Sequence, residues 1–117
     1  MKLKDYKRIY KKPGNKYNAK SSTYDGRHYD SKLEAGYAME LDWLLKAKTI
    51  KSWQAQFKLD LRVNGTHIAN YFVDFAVEYP DGRIEYHEVK GYETALWKLK
   101  WKMAIAIYDK ELFVLIK

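Results

Sequence analysis

The spacing of apolar positions changes several times along the chain, and each change marks a predicted element. From Asp30 to about Lys48 the apolar residues recur every three or four positions, which predicts an amphipathic helix. The stripe on this helix consists of Leu33, Tyr37, Leu41, Leu44 and Leu45. Ser31 followed by Glu34 matches the capping box that begins a helix, and Asp30 is a competing cap.

Beyond Ile50 apolar and polar residues alternate, which predicts a half-buried strand. Its apolar face carries Trp53, Ala55, Phe57, Leu59, Leu61 and Val63. The dipeptide Asn64-Gly65 predicts a hairpin turn into a second strand, "HIANYFVDFAVEY", which is apolar on much of both faces and is therefore expected to be central. Pro80–Gly82 is expected to turn the chain again into a third strand that ends near Val89.

The segment "TALWKLKWKMAIAIYDK" predicts a second helix, with Thr94 as its N-terminal cap. The residues predicted to face inward are Leu96, Leu99, Met103, Ala106 and Ile107. The short apolar run "LFVLI" predicts a buried fourth strand. The order αβββαβ predicts an α/β fold, in which a mixed four-stranded sheet is flanked by helices and its last strand follows a helical crossover.

Composition indicates one folded domain, because 117 residues with 47% apolar content can bury a core. The absence of cysteine excludes disulfides, thiolate zinc sites and cysteine nucleophiles. No segment has the apolar length of a membrane span or the apolar core of a signal peptide, so we expect a soluble, cytoplasmic protein with no membrane partner.

The net charge of +7 is concentrated in an N-terminal arm, residues 1–20, where a single acidic residue accompanies the basic ones. The basic residues of the arm are Lys2, Lys4, Lys7, Arg8, Lys11, Lys12, Lys16 and Lys20. Tyrosines interleave them, a pattern that suits a polyanion such as DNA but is also typical of a solubilising tail. We therefore expect a basic arm and linker over residues 1–22 and a folded domain over residues 23–117.

Candidate chemistry lies at the end of the third strand. Glu88 and Lys90 are two residues apart, so both side chains are expected on one face of the sheet. A lysine-rich chain contains a Glu-x-Lys by chance, so the spacing alone proves nothing. The turn at Pro80–Gly82, however, sets a register that places Asp74 directly opposite Glu88. Two carboxylates and an ammonium are then expected to converge.

Asp74 lies in the mostly apolar segment "NYFVDFAVEY", where a lone carboxylate is costly to desolvate. Lys90 could satisfy it as a structural ion pair. Two carboxylates with one lysine leave a net negative charge, which favours a divalent cation. Glu34, beside the apolar stripe of the first helix, is a further candidate, and its alternative role is the capping-box partner of Ser31.

An acidic residue on the first helix, an aspartate on the second strand and Glu-x-Lys on the third resemble the PD-(D/E)XK nuclease superfamily, which has a restriction-endonuclease-like fold. The segments "YDSKLEAGYAMEL", "WQAQFKLDL", "NYFVDF" and "EVKGYET" are similar, more narrowly, to a group of small phage and prophage proteins of that superfamily. The resemblance covers the chain from about Tyr24 to its last residue. Val73 stands where the superfamily name has proline.

The resemblance implies that Asp74 and Glu88 bind Mg²⁺ or Mn²⁺, and that Glu34 completes the site directly or through water. It implies that Lys90 orients the attacking water or stabilises charge on the scissile phosphate. Gln56 matches a recurrent glutamine of the narrower group, so it is expected either to line the site or to be an exposed strand residue.

These expectations describe a metal-dependent DNA endonuclease, encoded by a phage and acting in the bacterial host cell on junctions, flaps or single strands during recombination, repair or replication. The predicted DNA contacts are Lys7, Arg8, Lys11, Lys12, Lys16, Lys20, Lys98 and Lys102. The last two are alternatively the solvated face of the second helix. A homodimer could cut both strands of a junction, with Trp97 and Trp101 exposed at its interface unless they pack in the core against the arm. The alternative functions are a non-catalytic DNA-binding module and a partner-dependent subunit of a phage complex.

Overall fold

Two α-helices and six strands form the part of the protein that its structure, a computed structural model, describes: residues 22–24, 27–29 and 31–117. The elements are β1 (Ser22–Tyr24), β2 (Arg27–Tyr29), α1 (Lys32–Lys46), β3 (Ser52–Val63), β4 (Thr66–Glu78), β5 (Ile84–Val89), α2 (Ala95–Ile107), a 3₁₀ helix (Lys110–Leu112) and β6 (Phe113–Ile116). The order from α1 to β6 is αβββαβ, and the predicted α/β fold is confirmed. The basic arm lies outside the described residues.

The sheet is mixed, with the strand order β3-β4-β5-β6. Neighbouring strands are antiparallel except β5 and β6, which are parallel because the helix α2 carries the chain back between them. The predicted turn into β4 has positive φ at both Asn64 (51°) and Gly65 (79°), as the tightest hairpins require. Gly82, with φ of 89°, closes the turn into β5.

A short hairpin that the sequence analysis did not predict precedes α1. Its strands β1 and β2 pair antiparallel, with Tyr24 opposite Arg27. The Tyr24 hydroxyl donates to Asp42 Oδ2 at 2.5 Å, which ties the hairpin to α1, and Trp53 Nε1 donates to the other oxygen of Asp42 at 2.9 Å. The dipeptide Asp25-Gly26 was the available signal, because it is favoured in hairpin turns.

Two apolar clusters, one on each helix, stabilise the sheet. We call the first the α1 core; its buried members are Ala35, Tyr37, Ala38, Leu41, Ile50, Ala55, Phe75, Val77, Tyr79, Val89, Val114 and Ile116. We call the second the α2 core; its buried members are Leu59, Leu61, Tyr71, Val73, Trp97, Ala104 and Phe113. The sheet is therefore a layer between two helices, each of which covers a different region of it.

The two longest strands change sides in the middle of their length. In β3, Ala55 packs in the α1 core whereas Phe57 packs against the α2 core, although residues two apart in a regular strand face the same side. In β4 the same change occurs between Phe75 and Val73, which pair with Ala55 and Phe57. Gln56, at the point of change, has φ of 53°, in the left-handed region that non-glycine residues rarely adopt. The irregular backbone at this residue accompanies the change of face.

The predicted inward face of α2 is wrong in part. Leu96 and Leu99 are 62% and 56% exposed and Ala106 is exposed as well, whereas Trp97 and Ala104 are the buried residues of the helix. Apolar residues occur on several sides of α2, so periodicity alone does not select the face that meets the sheet. Neither α2 nor any other helix in the described part of the chain is long and apolar enough to span a membrane.

The proposed exposure of Trp97 and Trp101 as interface residues is corrected as well. Trp97 is 8% exposed, and the two indoles stack with ring centroids 5.4 Å apart. Trp101 also meets Phe113 of β6 edge to face at 5.4 Å. Both tryptophans therefore pack within the domain, where such aromatic pairs stabilise the core.

A buried polar network joins β5 to α1. The Tyr37 hydroxyl and His87 Nδ1 are 2.5 Å apart, and His87 Nε2 lies 3.0 Å from Glu85 Oε1. The Tyr79 hydroxyl donates to the same oxygen of Glu85 at 2.7 Å. His87 and Glu85 are 0% and 2% exposed. Because successive strand residues point to opposite sides, this network on the α1 side directs Glu88 towards α2.

Candidate active site

Asp74 and Glu88 lie where the hydrogen-bond ladder between β4 and β5 ends. The last ladder pair is Phe75 with His87, so Asp74 and Glu88 occupy the next position, opposite each other as the register predicts. At this position the backbone N–H groups donate to the two carboxylates and not to backbone carbonyls. The Asp74 N–H donates to Glu88 Oε2 at 3.0 Å, and the Val89 N–H donates to Asp74 Oδ2 at 2.8 Å. Each carboxylate is thus fixed by the backbone of the neighbouring strand.

Both carboxylates are buried, and their burial makes the charged forms unfavourable. Asp74 is 6% exposed and Glu88 is 2% exposed. Burial raises the pKa of Asp74 to about 8; the charges of Glu88 and Glu34 add to this effect, while the Val89 hydrogen bond and the Lys90 charge oppose it. Burial also raises the pKa of Glu88. At neutral pH the pair therefore favours a bound proton or a bound cation over two bare charges.

Lys90 is the residue directly after β5, and its side chain lies beside the two carboxylates. Its Nζ is 3.6 Å from Glu88 Oε1 and 5.2 Å from the centroid of the Trp97 ring. The Lys90 N–H donates to the Ile116 carbonyl at 2.9 Å, which fixes the backbone beside β6. The side chain is 26% exposed, so the ammonium bridges the buried pair and the solvent. The predicted convergence of Asp74, Glu88 and Lys90 is present.

Glu34 lies in the first turn of α1, where its backbone serves the helix cap. The Glu34 N–H donates to Ser31 Oγ at 3.1 Å, so Ser31 is the N-cap, as predicted. This bond engages the backbone of Glu34 and not its carboxylate. The charge of Glu34 raises the pKa of Asp74, which places the carboxylate within electrostatic range of the pair.

A preformed metal cage is not present: within residues 22–24, 27–29 and 31–117 no three or more His, Asp or Glu side chains are arranged to hold an ion. The chemistry of the pair nevertheless fits a hard cation, because two adjacent buried carboxylates supply oxygen ligands and excess negative charge. Mg²⁺ commonly binds through one or two carboxylates and completes its shell with water and substrate phosphate. The metal ligands Asp74, Glu88 and Glu34 thus stay a prediction.

Gln56 lies at the level of the two carboxylates. Its neighbours Ala55 and Phe57 pair with Phe75 and Val73, which places Gln56 across from the residue between them, Asp74. The side chain is exposed, and the backbone is in the left-handed region. Strained residues of this kind cluster at functional sites. The position therefore agrees with either expectation for Gln56.

Replacing Gln56 with glycine is expected to stabilise the protein by about 1 kcal/mol, because glycine adopts positive φ without a steric penalty. Gln56→Ala keeps the Cβ atom and should give no such gain. Lys48→Gly is the matched control at a second exposed residue with positive φ, 61°, and should stabilise similarly. Urea denaturation measures all three variants; if Gln56→Gly is no more stable than Gln56→Ala, the backbone at this position is not strained.

Of the predicted DNA-binding residues, Lys98 and Lys102 are exposed on α2. Lys98 directly follows Trp97, whose ring lies beside Lys90 Nζ. The other predicted contacts, Lys7, Arg8, Lys11, Lys12, Lys16 and Lys20, fall outside the described residues.

Two residues that contact the carboxylate pair, Trp97 and Tyr71, were not predicted from the sequence as residues of the site. The Trp97 Nε1–H group points at both Glu88 Oε1, at 3.0 Å, and the Tyr71 hydroxyl, at 3.2 Å. Tyr71 is 3% exposed, and burial followed by the charge of Glu88 raises its pKa. The available signal was that a buried tryptophan needs an acceptor for its N–H, and that Glu88 offers one on the α2 side.

Comparison with known proteins identifies a family for this chain. No curated protein and no solved structure matches the chain. One family model matches residues 14–116, which is most of the chain and includes every site residue discussed above from Glu34 to Lys102. The protein therefore belongs to the family described as "Protein of unknown function (DUF1064)".

Proposed function

We propose that this protein is a Mg²⁺- or Mn²⁺-dependent DNA endonuclease with an active site of the PD-(D/E)XK type. The observation that carries the proposal is the meeting of Asp74, Glu88 and Lys90 at one point of an αβββαβ sheet. Two buried carboxylates with raised pKa values beside a partly exposed lysine are unfavourable for stability. Such arrangements are typical of functional sites.

The residues of the site have distinct roles in this reaction. Asp74 and Glu88 would hold the cation, and Glu34 adds negative charge from α1. When bound, a divalent cation supplies charge neutralisation at the phosphodiester and a more acidic water. Lys90, whose ammonium reaches solvent beside Glu88, would contact a phosphoryl oxygen and stabilise the negative charge that develops there.

The substrate side of the proposal rests on charge and on the resemblance to small phage and prophage proteins. The exposed Lys98 and Lys102 and the basic arm supply cations for the DNA backbone. We extend the proposal to a phage-encoded enzyme that selects branched or single-stranded DNA in recombination, repair or replication. A homodimer remains part of this proposal for substrates in which two strands are cut.

The wild-type protein is expected to cut at least one of four end-labelled DNAs (duplex, single strand, flap and four-way junction) with Mg²⁺ or Mn²⁺ and none with EDTA. Lys90→Ala should lower the cleavage rate by about 10²–10³-fold, because it removes a charge aimed at the transition state. DNA binding in EDTA, measured by fluorescence anisotropy, should be nearly unchanged.

Lys46→Ala is the matched control, since Lys46 is an exposed lysine in the last turn of α1, at the end opposite Glu34. This variant should cut like the wild type, and identical purification excludes a contaminating nuclease. A wild type that binds DNA but cuts none of the four with either metal would overturn the nuclease proposal in favour of a binding module or a partner-dependent subunit.

A further inference from the structure

One indole contacts both charged groups at the end of β5. Trp97 is the third residue after the cap of α2, where Thr94 Oγ1 accepts from the Trp97 N–H at 3.1 Å. The capped first turn fixes the backbone of Trp97 before any side-chain contact is considered. Its side chain then extends to β5 and lies beside Glu88 and Lys90.

The two contacts use different parts of the ring. The indole N–H is directed to Glu88 Oε1 at 3.0 Å, with the Tyr71 hydroxyl at 3.2 Å as its second partner. The face of the ring lies 5.2 Å from Lys90 Nζ, within the range of a cation–π interaction. Lys90 Nζ is also 3.6 Å from Glu88 Oε1, so each of the three side chains, Trp97, Glu88 and Lys90, contacts the other two.

Packing alone does not require this arrangement. Trp97 stacks on Trp101 and fills the α2 core, and another large apolar side chain could do both. A hydrogen bond to a carboxylate that is 2% exposed is different, because it holds Oε1 of Glu88 while the Asp74 N–H holds Oε2, and the two bonds together fix the rotamer.

We propose that Trp97 is a positioning residue of the active site, which holds Glu88 through its indole N–H and Lys90 through its ring face. The inference rests on the proposed function, since it assigns Trp97 to the same site. Groups that orient ligands from behind are commonly worth about 10–100-fold in metal affinity or activity. Trp97→Phe keeps an aromatic ring for Lys90 and removes the N–H together with one ring of the indole. Trp53→Phe makes the same chemical change away from the site, so a comparison of the two variants isolates the contact with Glu88.

Trp97→Phe is expected to lower kcat by about 10–100-fold and to leave the KM for DNA nearly unchanged. Trp53→Phe is the matched control, because Trp53 Nε1 donates to Asp42 Oδ1 at 2.9 Å, an indole–carboxylate bond on the α1 side. That variant should retain the wild-type kcat. Urea denaturation of both variants checks that each is folded under the assay conditions.

Indole N–H signals in ¹⁵N-correlated NMR spectra supply a readout that is independent of turnover. The four tryptophans give four such signals, and Trp97→Phe and Trp53→Phe assign the two that matter. Glu88→Gln should shift the Trp97 signal in the metal-free protein, and Mg²⁺ should shift it in the wild type. The Trp53 signal should stay in place in both experiments.

The outcomes separate the two proposals. If the wild type cuts DNA and Trp97→Phe cuts with the same kcat, the positioning role is overturned and the nuclease proposal stands. If the wild type neither cuts nor shows a Mg²⁺-dependent shift of the Trp97 signal, both are overturned. If kcat falls in Trp97→Phe, stays constant in Trp53→Phe, and the Trp97 signal responds to Glu88→Gln, the positioning role is supported.

Discussion

Replacing Asp74 with asparagine is expected to abolish metal-dependent DNA cleavage and, at the same time, to make the metal-free protein more stable at about pH 8. Asparagine keeps the size of the side chain and a carbonyl oxygen that can accept the Val89 N–H. It removes the charge that would hold a cation, so cleavage should fall by about 10³-fold or more. Loss of activity with a gain in stability is characteristic of residues retained for function.

The expected gain in stability depends on pH in a defined direction. In the folded protein, burial and the charge of Glu88 raise the pKa of Asp74 from 3.8 to about 8. Between these values the folded state holds a proton that the unfolded state has lost, so the wild-type free energy of unfolding falls as the pH rises. Asparagine does not titrate. The advantage of Asp74→Asn should therefore grow across this range, to on the order of 3 kcal/mol at about pH 8.

Urea denaturation in EDTA at several pH values between about 4 and 8 measures this difference. Asp60→Asn is the control, because hydrogen bonds from His67 and then Arg62 lower the pKa of that exposed carboxylate. Its replacement removes a favourable interaction that is present above the ordinary pKa, so it should not stabilise the protein at about pH 8. An Asp74→Asn variant that is less stable than the wild type at every pH would contradict the reasoning.

The turns explain why the sequence predicted so much of the site. Asn64-Gly65 and Pro80–Gly82 fix both hairpin connections, and the second brings the Tyr79 N–H to the Arg83 carbonyl at 2.8 Å. Once this pair is fixed, the positions of all partners along β4 and β5 follow by counting, including Asp74 opposite Glu88. Local turn chemistry thus determined a contact between residues that are distant in sequence.

The change of face in β3 could not be predicted in the same way. Apolar residues occupy every odd position from Trp53 to Val63, so the alternation continues without a break through Gln56. The pattern shows that one side chain in two is apolar, but it does not show which helix covers it. Only the backbone at Gln56, with its positive φ, marks where the α1 core gives way to the α2 core.

The face of α2 was unpredictable for a different reason. Trp97 and Leu96 are both apolar, and their burial is decided by the partner that each can reach across the sheet. Trp97 fills the larger volume and also satisfies its N–H on Glu88, which leaves Leu96 62% exposed. Hydrophobic periodicity contains no information about hydrogen bonds, so a site residue that serves also as a core residue is easily missed.

Replacing His87 with leucine is expected to destabilise the protein by about 3 kcal/mol, the largest stability loss that we predict. The imidazole lies between the Tyr37 hydroxyl, at 2.5 Å, and Glu85 Oε1, at 3.0 Å, and is fully buried. Leucine has no polar atom for either group. Glu85 would keep the Tyr79 bond and the 3.4 Å contact with Arg83, and these do not replace a donor inside the core.

The pH dependence of this loss distinguishes a broken hydrogen-bond network from a simple packing defect. Burial alone would raise the pKa of Glu85, but hydrogen bonds from His87 and then Tyr79 outweigh it and lower the pKa below its ordinary value of 4.5. The resulting stability is present above pH 4.5 and is lost as the pH falls through the lowered pKa. The difference in the free energy of unfolding between His87→Leu and the wild type should therefore narrow as the pH falls below 4.5. Urea denaturation at neutral and acidic pH measures the gap, and Tyr37→Phe, which removes one hydroxyl, should cost only about 1 kcal/mol. Because His87 faces α1 while Glu88 faces Trp97, DNA cleavage per folded molecule should persist in His87→Leu. If the difference in the free energy of unfolding between this variant and the wild type stays constant with pH, the loss of stability is due to packing and not to the hydrogen-bond network.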